Sequence, residues 1–573
     1  MMKVMLATIN AKYIHTSLAM RLLYVANNNR FDIDFREYTL KDDTERIAED
    51  LLATGCDIVG LGVYIWNVRQ CQRLTALLKA KQPDLIIILG GPEVTYEPSF
   101  FLDNWPVDYI VSGEGEFVLG ELLEAIKTHR PVDIESVSYR GHISPTIAQA
   151  DLAQIAALPS PYKLSEDREV MQNKVVYMET SRGCPFRCSY CLASVEKQVR
   201  YFPLAYVFDN LDYLIDNGVR QLKFLDRTFN LNQQHASAVF DFLINRYRPN
   251  MLCQFEIYAD LLQEKMIDYL NTQLPPHYFR FEIGIQSTSE STNKAINRKQ
   301  DYHLLATNIR KLAEGGKIDL HLDLIAGLPY ESFAQIVQSF NDVFAFKAKE
   351  VQLGFLKMLR GTELRQHAAI YGYTYDDEAP YEVTSHAGLS EAEIDRLRRV
   401  AYTVEKYWNS GRFVRTMHAL VNSYEQGKYF ELFDELATRF FARLSSSDGA
   451  CEGHESKSEI TRMPRQYQLE DTFRDLHNFL LSKEIDLFTT LRTDYYHCFS
   501  TRPSGFWENT LDKKTRKRLL HEIGSDKDWL NRHHLTRKLI EKRTAIDPIS
   551  TNEYQLTIFT EDKQEKYSLV WKR

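Results

Sequence analysis

Val175-Val176-Tyr177-Met178-Glu179-Thr180-Ser181-Arg182-Gly183-Cys184-Pro185-Phe186-Arg187-Cys188-Ser189-Tyr190-Cys191 opens as a short apolar strand and ends as a loop with three cysteines at C-x3-C-x2-C spacing. Eight cysteines in 573 residues are too few for a disulfide scaffold, so the local spacing of these three carries the information. Three thiolates this close together can hold three corners of an iron-sulfur cubane and leave its fourth iron open to a substrate. Structural zinc wants four ligands, usually as two C-x2-C or C-x2-H pairs, and no fourth Cys or His stands at a suitable spacing. Glycine and polar neighbours mark a loop, which disfavours three buried, unligated thiols.

Downstream, apolar runs at 221–226, 252–258, 280–286, 319–326 and 350–358 read as strands, with helical patterns between them, as at 205–217 and 263–273. Six βα-type units exceed a small open sheet and fall two short of a closed eightfold barrel. A partial (β/α)6 barrel is therefore expected, with the cysteine loop at the carboxyl end of its first strand, where barrel active sites form. Upstream, KVMLAT, FDIDF, DIVGLGVYI, LIIILGG and DYIVSG alternate with helical patterns at 16–27, 43–53, 68–81 and 116–127. The runs at 57–65 and 85–90 do not alternate, which marks strands buried on both faces of a parallel sheet. Five such units give a doubly wound, Rossmann-like α/β sheet whose ligand sits beyond the carboxyl ends of the strands. Those ends supply the candidates Asn10, then Tyr64, Trp66 and Asn67, then Gly90, Gly91, Pro92 and Glu93, then Gly113, Glu114, Gly115 and Glu116. Each end alone reads equally as an ordinary βα turn; together, glycine pairs in GGPEV and SGEGE suit the close approach of a flat ligand. No G-x-G-x-x-G follows the first strand, which speaks against a nicotinamide site.

The triplet, with the aromatic Tyr190 before its last cysteine and a six-unit half barrel around it, resembles the radical S-adenosylmethionine superfamily. The domain with GGPEV and GEGE is similar to the cobalamin-binding domain that one large branch carries at its amino end. The resemblance implies a 4Fe-4S cluster on Cys184, Cys188 and Cys191, with the free iron chelated by the amino and carboxylate groups of S-adenosylmethionine, and it implies cobalamin in the first domain. Glu282-Ile283-Gly284-Ile285-Gln286-Ser287 resembles the fourth-strand segment whose polar residues reach the ribose and methionine of the cofactor. Glu282 and Gln286 share one face of that strand. Asn297-Arg298 resembles the N-R that follows, and Gly327-Leu328-Pro329 the G-L-P lining the adenine side. Asp226, in Leu225-Asp226-Arg227-Thr228-Phe229, stands where this branch often has D-D-x-F, and Arg227 is a departure. Cobalamin domains of the methyltransferase and mutase type place an axial histidine in D-x-H-x-x-G. His15 does not fit that spacing and is expected in a loop or helix start. The implied activity is methyl transfer from methylcobalamin to an unactivated carbon after hydrogen abstraction by a 5′-deoxyadenosyl radical. Radical rearrangement, ring contraction or cyclisation without methyl transfer is the alternative within the branch. The implied electron donor is of flavodoxin or ferredoxin type.

Beyond Gly361, amphipathic helices at 391–408, 423–445 and 468–482, with a loop at 445–450, predict a mainly helical carboxyl-terminal domain covering the substrate site. The expected division is 1–145 for cobalamin, a linker at 146–169, the partial barrel at 170–365 and the helical domain at 366–573. Cys451, His454 and Cys498 show no ligand spacing, and Cys56 and Cys71 lack the second-cluster spacing of the methylthiotransferase branch. Eleven Lys or Arg fall between Lys513 and Arg543; a solvated helix face is the simplest reading and an RNA-facing surface the sharper one. Small molecules, RNA and peptides thus stay open as substrates, and a zinc-bound RNA-binding or scaffold protein is the reading from another class. QLTIFT and YSLVWK, around Glu561-Asp562, are expected to pair as an edge hairpin. Hydrophobic content of 44% and charged content of 26% exclude a disordered or fibrous chain, and a net charge of -8 argues against a protein that blankets a polyanion. With no run of 18 apolar residues and no signal-peptide pattern in residues 1–10, a cytoplasmic chain without a membrane span is expected.

Overall fold

The computed structural model describes residues 2–196, 198–424, 427–447, 469–499, 506, 511–550, 552–559 and 566–572. Continuous apolar runs form the first sheet: β1 Lys3–Asn10, β2 Asp32–Thr39, β3 Ile58–Gly62, β4 Ile86–Gly90 and β5 Tyr109–Val111, with β6 Val137–Tyr139. All five residues of β3 are buried, as a strand covered on both faces requires. The order is β2-β1-β3-β4-β5-β6; the first five strands are parallel and β6 runs antiparallel to β5. The chain reverses direction across the sheet between β1 and β3, so the ligand crevice of this topology opens at their carboxyl ends. Helices start where the sequence places caps: Ser17 accepts from the Met20 amide at 3.3 Å and Asp43 from that of Arg46 at 3.1 Å. β6 was not anticipated, because three residues are too few to show a period.

The second sheet comprises β7 Val175–Met178, β10 Gln221–Phe224, β11 Leu252–Ile257, β12 Phe279–Gln286, β13 Asp319–Ala326 and β14 Glu350–Phe355, in that spatial order. The pairs from β7 to β13 are parallel, as in the expected six-unit partial barrel. A small antiparallel ribbon, β8 Ser181–Arg182 with β9 Arg200–Tyr201, closes the loop that carries the cysteines. Burial alternates along β11 and β12. One face carries Cys253, Phe255, Phe279, Phe281 and Ile283, and the half-buried face carries Gln254, Glu256, Glu282 and Gln286. Phe255 lies 4.6 Å from both Phe224 and Phe229, and Phe240 of the helix Gln233–Asn245 packs 5.4 Å from Phe279. Full burial of each such ring is worth about 1.5–3 kcal/mol, enough to fix the strands against their helices.

The chain divides into two units, 1–339 with 354–391 and 340–353 with 392–573. Within the first, β15 Thr374–Tyr375 and β16 Val383–Ser385 form a short antiparallel pair. In the second, the helix predicted over 423–445 begins later, as Tyr429–Ser447, and an unpredicted helix Val414–Ser423 precedes it. Ser423 turns its hydroxyl back onto the Leu420 carbonyl at 2.8 Å, which competes with continuing the helix, and Gly427 weakens it further. Ser445, Ser446 and Ser447 extend the second helix rather than forming a loop; residues 448–450, Cys451, His454 and the turn Glu561-Asp562 lie outside the described residues.

The expected edge hairpin is a three-stranded antiparallel sheet. β17 Thr544–Ser550 adds to β18 Glu553–Phe559, which pairs with β19 Lys566–Lys572. Pro548 hid β17 from a sequence reading, and its missing amide is tolerated because β17 lies at the sheet edge. Leu519, Ile523, Trp529, Ile540, Ile546, Leu556 and Trp571 form a core between this sheet and the helices Lys513–Ser525, Lys527–Arg532 and Arg537–Arg543. Among the described residues no helix is long and apolar enough to cross a membrane.

Candidate active site

The cysteine loop is held from below by Asp226, just past the end of β10. Its carboxylate accepts from the Thr180 amide at 3.0 Å, the Thr180 hydroxyl at 2.6 Å and the Ser181 hydroxyl at 2.6 Å. Burial pushes this carboxyl up to about 6 in spite of those three donors. His235 Nε2 lies 3.0 Å from the Thr180 hydroxyl. Above this support, the Cys191 amide donates to the Cys188 carbonyl and the Ser189 amide to that of Ile296, both at 3.0 Å, while Phe186 stacks on Tyr258 at 4.3 Å. Cys184 Sγ lies 3.9 Å from the Thr228 hydroxyl. Arg298 sits behind Cys188, with Nη1 3.9 Å from its sulfur and 3.5 Å from the Tyr190 hydroxyl, and its guanidinium 4.7 Å from the Tyr258 ring. The triplet and the N-R arginine, 110 residues apart, are therefore neighbours.

Burial pushes the Cys184 and Cys191 thiols above their ordinary range, so as free thiols both are protonated near neutrality, and metal loading must displace those protons. Among the described residues no three Cys, His, Asp or Glu side chains converge as the ligands of one ion.

Along the barrel's inner face, Glu282 accepts from Lys223 Nζ at 2.9 Å and Gln254 Nε2 at 2.6 Å. Burial pulls this carboxyl up, and the Lys223 ammonium overrides it, leaving Glu282 below the usual range. Glu256, in register with Glu282 on the neighbouring strand, is pushed up to about 7 by burial. Gln286 holds φ at 70°, and its amide oxygen is buried without a partner. Ser287 donates to the buried Glu331, whose carboxyl burial pushes up to about 7. The Gly327 carbonyl accepts from the Tyr373 hydroxyl at 2.8 Å. Gln286 and Arg298 meet over Gly284: a Cβ built at Gly284 would lie 2.3 Å from Gln286 Nε2 and 3.9 Å from Arg298 Nη2.

At the crevice of the first sheet the candidates divide. Asn67 is fully buried; its amide donates to the Ile9 and Gly62 carbonyls and its oxygen accepts from the Tyr64 amide, so it ties β1 to β3. Asn10 donates to the His15 carbonyl and to Glu37. Trp66, 46% exposed, lies stacked on Tyr64 at 4.5 Å and 7°, with its indole N–H on the Ile9 carbonyl. Gly91 and Gly113 are required by neighbouring backbone. Their φ values are 104° and 93°, and a Cβ would come within 2.6 Å of the Val63 carbonyl oxygen and 2.5 Å of that of Ala148. A Cβ at Gly90 would meet the Val111 carbonyl oxygen at 3.9 Å, an ordinary contact, and Pro92 begins the turn of helix Pro92–Thr95; Gly115 packs by Leu23. The Thr8 and Ser112 hydroxyls, at the ends of β1 and β5, are buried without partners. Glu93, Glu114 and Glu116 are engaged by arginines: Glu93 by Arg360, Glu114 by Arg182 and Arg200, and Glu116 by Arg182. His15 pairs its Nδ1 with the Tyr177 hydroxyl at 2.7 Å, in the loop role expected of it.

A half-exposed indole stacked on Tyr64 and two orphaned hydroxyls suit a flat polar cofactor at the strand ends. The orphaned Gln286 oxygen and the Arg298 guanidinium beside the cysteine loop suit an amino-acid-bearing nucleoside. Arg182, Arg200 and Arg360, together with Lys223 and Glu256, escaped the sequence reading, because charge spacing along the chain gives no hint of which residues meet across it.

Residues 3–123 match the sequence model of the B12 binding domain, residues 178–343 that of the radical SAM superfamily, and residues 369–570 that of a protein of unknown function, DUF4080. The cobalamin-dependent radical SAM methyltransferase TokK of Streptomyces tokunonensis is 26% identical over 305 residues, covering 50% of this chain and 44% of the relative. A 2-(S-pantetheinyl)-carbapenam-3-carboxylate methyltransferase of Streptantibioticus cattleyicolor is 27% identical over 325 residues, covering 52% and 46%. The chain thus spans about half the length of the curated relatives it matches. Among solved structures, the cobalamin-dependent S-adenosylmethionine radical enzyme OxsB, with aqua-cobalamin and S-adenosylmethionine bound, superposes with a TM-score of 0.60 at 16% identity, covering 86% of this chain and 84% of that one.

Proposed function

We propose, for a chain that joins a B12-binding domain to a radical SAM domain, the activity of a cobalamin-dependent radical S-adenosylmethionine enzyme that methylates an unactivated carbon of a small molecule. The observation that carries the reading is the direct attachment of the cysteine loop to the crevice of the first sheet through Arg182, two residues before Cys184. In this reading residues 1–145 hold cobalamin and residues 170–365 the cluster and S-adenosylmethionine. When bound, these groups supply a 5′-deoxyadenosyl radical and a transferable methyl group.

The chain's own residues bind and orient. Cys184, Cys188 and Cys191 would hold the cluster. Arg298 places positive charge behind Cys188 and would offer it to an anionic group of the nucleoside cofactor. Gln286 and Ser287 offer polar contacts to its ribose and methionine parts, and Gly327 bounds the adenine side. Tyr64 and Trp66 would give the corrin a flat support, and the Nδ1 of His15 is held by the Tyr177 hydroxyl. Electrons come from a flavodoxin- or ferredoxin-type donor.

Anaerobic reconstitution with iron, sulfide and hydroxocobalamin, followed by reduction with S-adenosylmethionine and candidate substrates, tests the reading. Equal yields of 5′-deoxyadenosine and S-adenosylhomocysteine are expected. Deoxyadenosine alone would sink the methyl-transfer step. Colourless protein holding zinc and no iron or sulfide would sink the radical chemistry altogether.

A further inference from the structure

Acidic residues in the strand-end loops of the first sheet are spent on arginines that belong to the barrel. Arg182 donates Nη1 to Glu114 at 2.9 Å, Nη2 to Glu116 at 2.7 Å and Nε to Glu179 at 2.6 Å. Arg200 reaches Glu114 as well, at 3.2 Å from Nη1, and the Ala150 carbonyl at 2.6 Å. Arg182 and Arg200 stand opposite each other on the β8–β9 ribbon. Two like charges in that position repel; here Glu114 lies between them and satisfies both. At the other side, Arg360 meets Glu93 at 3.4 Å and also Glu97, Arg365 approaches Glu97 at 3.6 Å, and the Tyr381 hydroxyl donates to Glu93. The side chains of Arg182, Glu114 and Glu116 are 11%, 12% and 7% exposed, and those of Arg360 and Glu93 are 7% and 5%. Forked guanidinium–carboxylate pairs this enclosed define an orientation far better than they add stability.

We propose that Glu93, Glu97, Glu114 and Glu116 are sockets for Arg360, Arg365, Arg182 and Arg200, and that this two-sided docking fixes the separation of the cobalamin site from the cluster. The acidic letters of GGPEV and GEGE then position domains and do not touch cobalamin. The two sockets bracket the active site: one grips the ribbon that closes the cysteine loop, the other the segment after the last barrel strand. A methyl group must pass from one cofactor to a carbon activated beside the other, so a loose separation lets radicals form without transfer. This inference rests on the functional reading above.

The test uses full-length holoenzyme carrying cob(II)alamin and the reduced cluster, two paramagnets whose dipolar coupling in pulsed electron paramagnetic resonance reports their separation. Wild type should give one narrow distance distribution. Glu114→Gln and Glu93→Gln should broaden it at unchanged iron content, with hydroxocobalamin affinity within about threefold of wild type. Arg182→Lys, which keeps the charge and loses the fork, should fall between them. An unchanged distribution in these variants at full occupancy of both cofactors would overturn the docking role. So would a tenfold or larger loss of hydroxocobalamin affinity, since that would make the glutamates cofactor contacts. Wild-type protein that takes up iron and no cobalamin would instead remove the functional reading beneath it.

Discussion

Glu331 is buried, accepts from Ser287 and from Ser339 at 3.3 Å, and leaves its second oxygen unpartnered. Burial pushes its carboxyl up to about 7, so between the ordinary glutamate range and that value the folded chain holds a proton that the unfolded chain has released. Stability contributed by this site is therefore full at low pH and lost as pH rises through the window, then flat above it. Asp226, pushed up to about 6, adds a slope of the same sign over a narrower range. Glu331→Gln keeps an acceptor for both serines and cannot ionise. It should equal wild type near pH 4.5 and exceed it by about 2 kcal/mol at pH 8. Denaturant unfolding at the two pH values decides this, and an advantage that does not grow with pH would exclude the assignment.

Among elements, the junction of β1 and β3 hangs on Asn67. Its three hydrogen bonds close the end of β1, the end of β3 and the turn that presents Tyr64 and Trp66. Asn67→Ala should cost about 1–3 kcal/mol from the groups it orphans and should also weaken hydroxocobalamin binding by loosening the aromatic support. Asn67→Asp keeps the acceptor for Tyr64 and loses both donors, and should fall between; calorimetry and absorbance titration read the two effects separately.

This junction also shows what the sequence could reveal. The unbroken apolar runs 57–65 and 85–90 declared buried parallel strands, and C-x3-C-x2-C declared its chemistry through spacing alone. The same letters could not say that Asn67 faces inward while Trp66 faces outward, since both follow a strand end. Glu114 and Arg182 are 68 residues apart, and nothing local distinguishes a glutamate that meets an arginine from one that meets a ligand. β6 is too short for a period, and Pro548 disguised β17.

The whole molecule comprises two units with cores of their own, the first including Val4, Ile58, Ile88 and Leu122, the second Leu519, Ile523, Ile546 and Leu556. Unfolding should accordingly depart from two-state behaviour, with at least two calorimetric transitions. The proposed ligands are bound by residues of the first unit, so hydroxocobalamin at about a hundred times its dissociation constant should stabilise that transition by about 2.7 kcal/mol and leave the other in place. A single transition moved as a block by the ligand would show one cooperative body instead.

Trp66 gives the molecule an optical signature. Trp105, Trp408, Trp529 and Trp571 are buried at 3 to 8% exposure, so among the described residues Trp66 is the one tryptophan that meets solvent. Its red-shifted emission originates at the crevice where a corrin would lie, and a strongly absorbing ring stacked there would drain that emission by energy transfer. In the proposed role, quenching of the Trp66 emission would report the arrival of the cofactor in native protein and without a label.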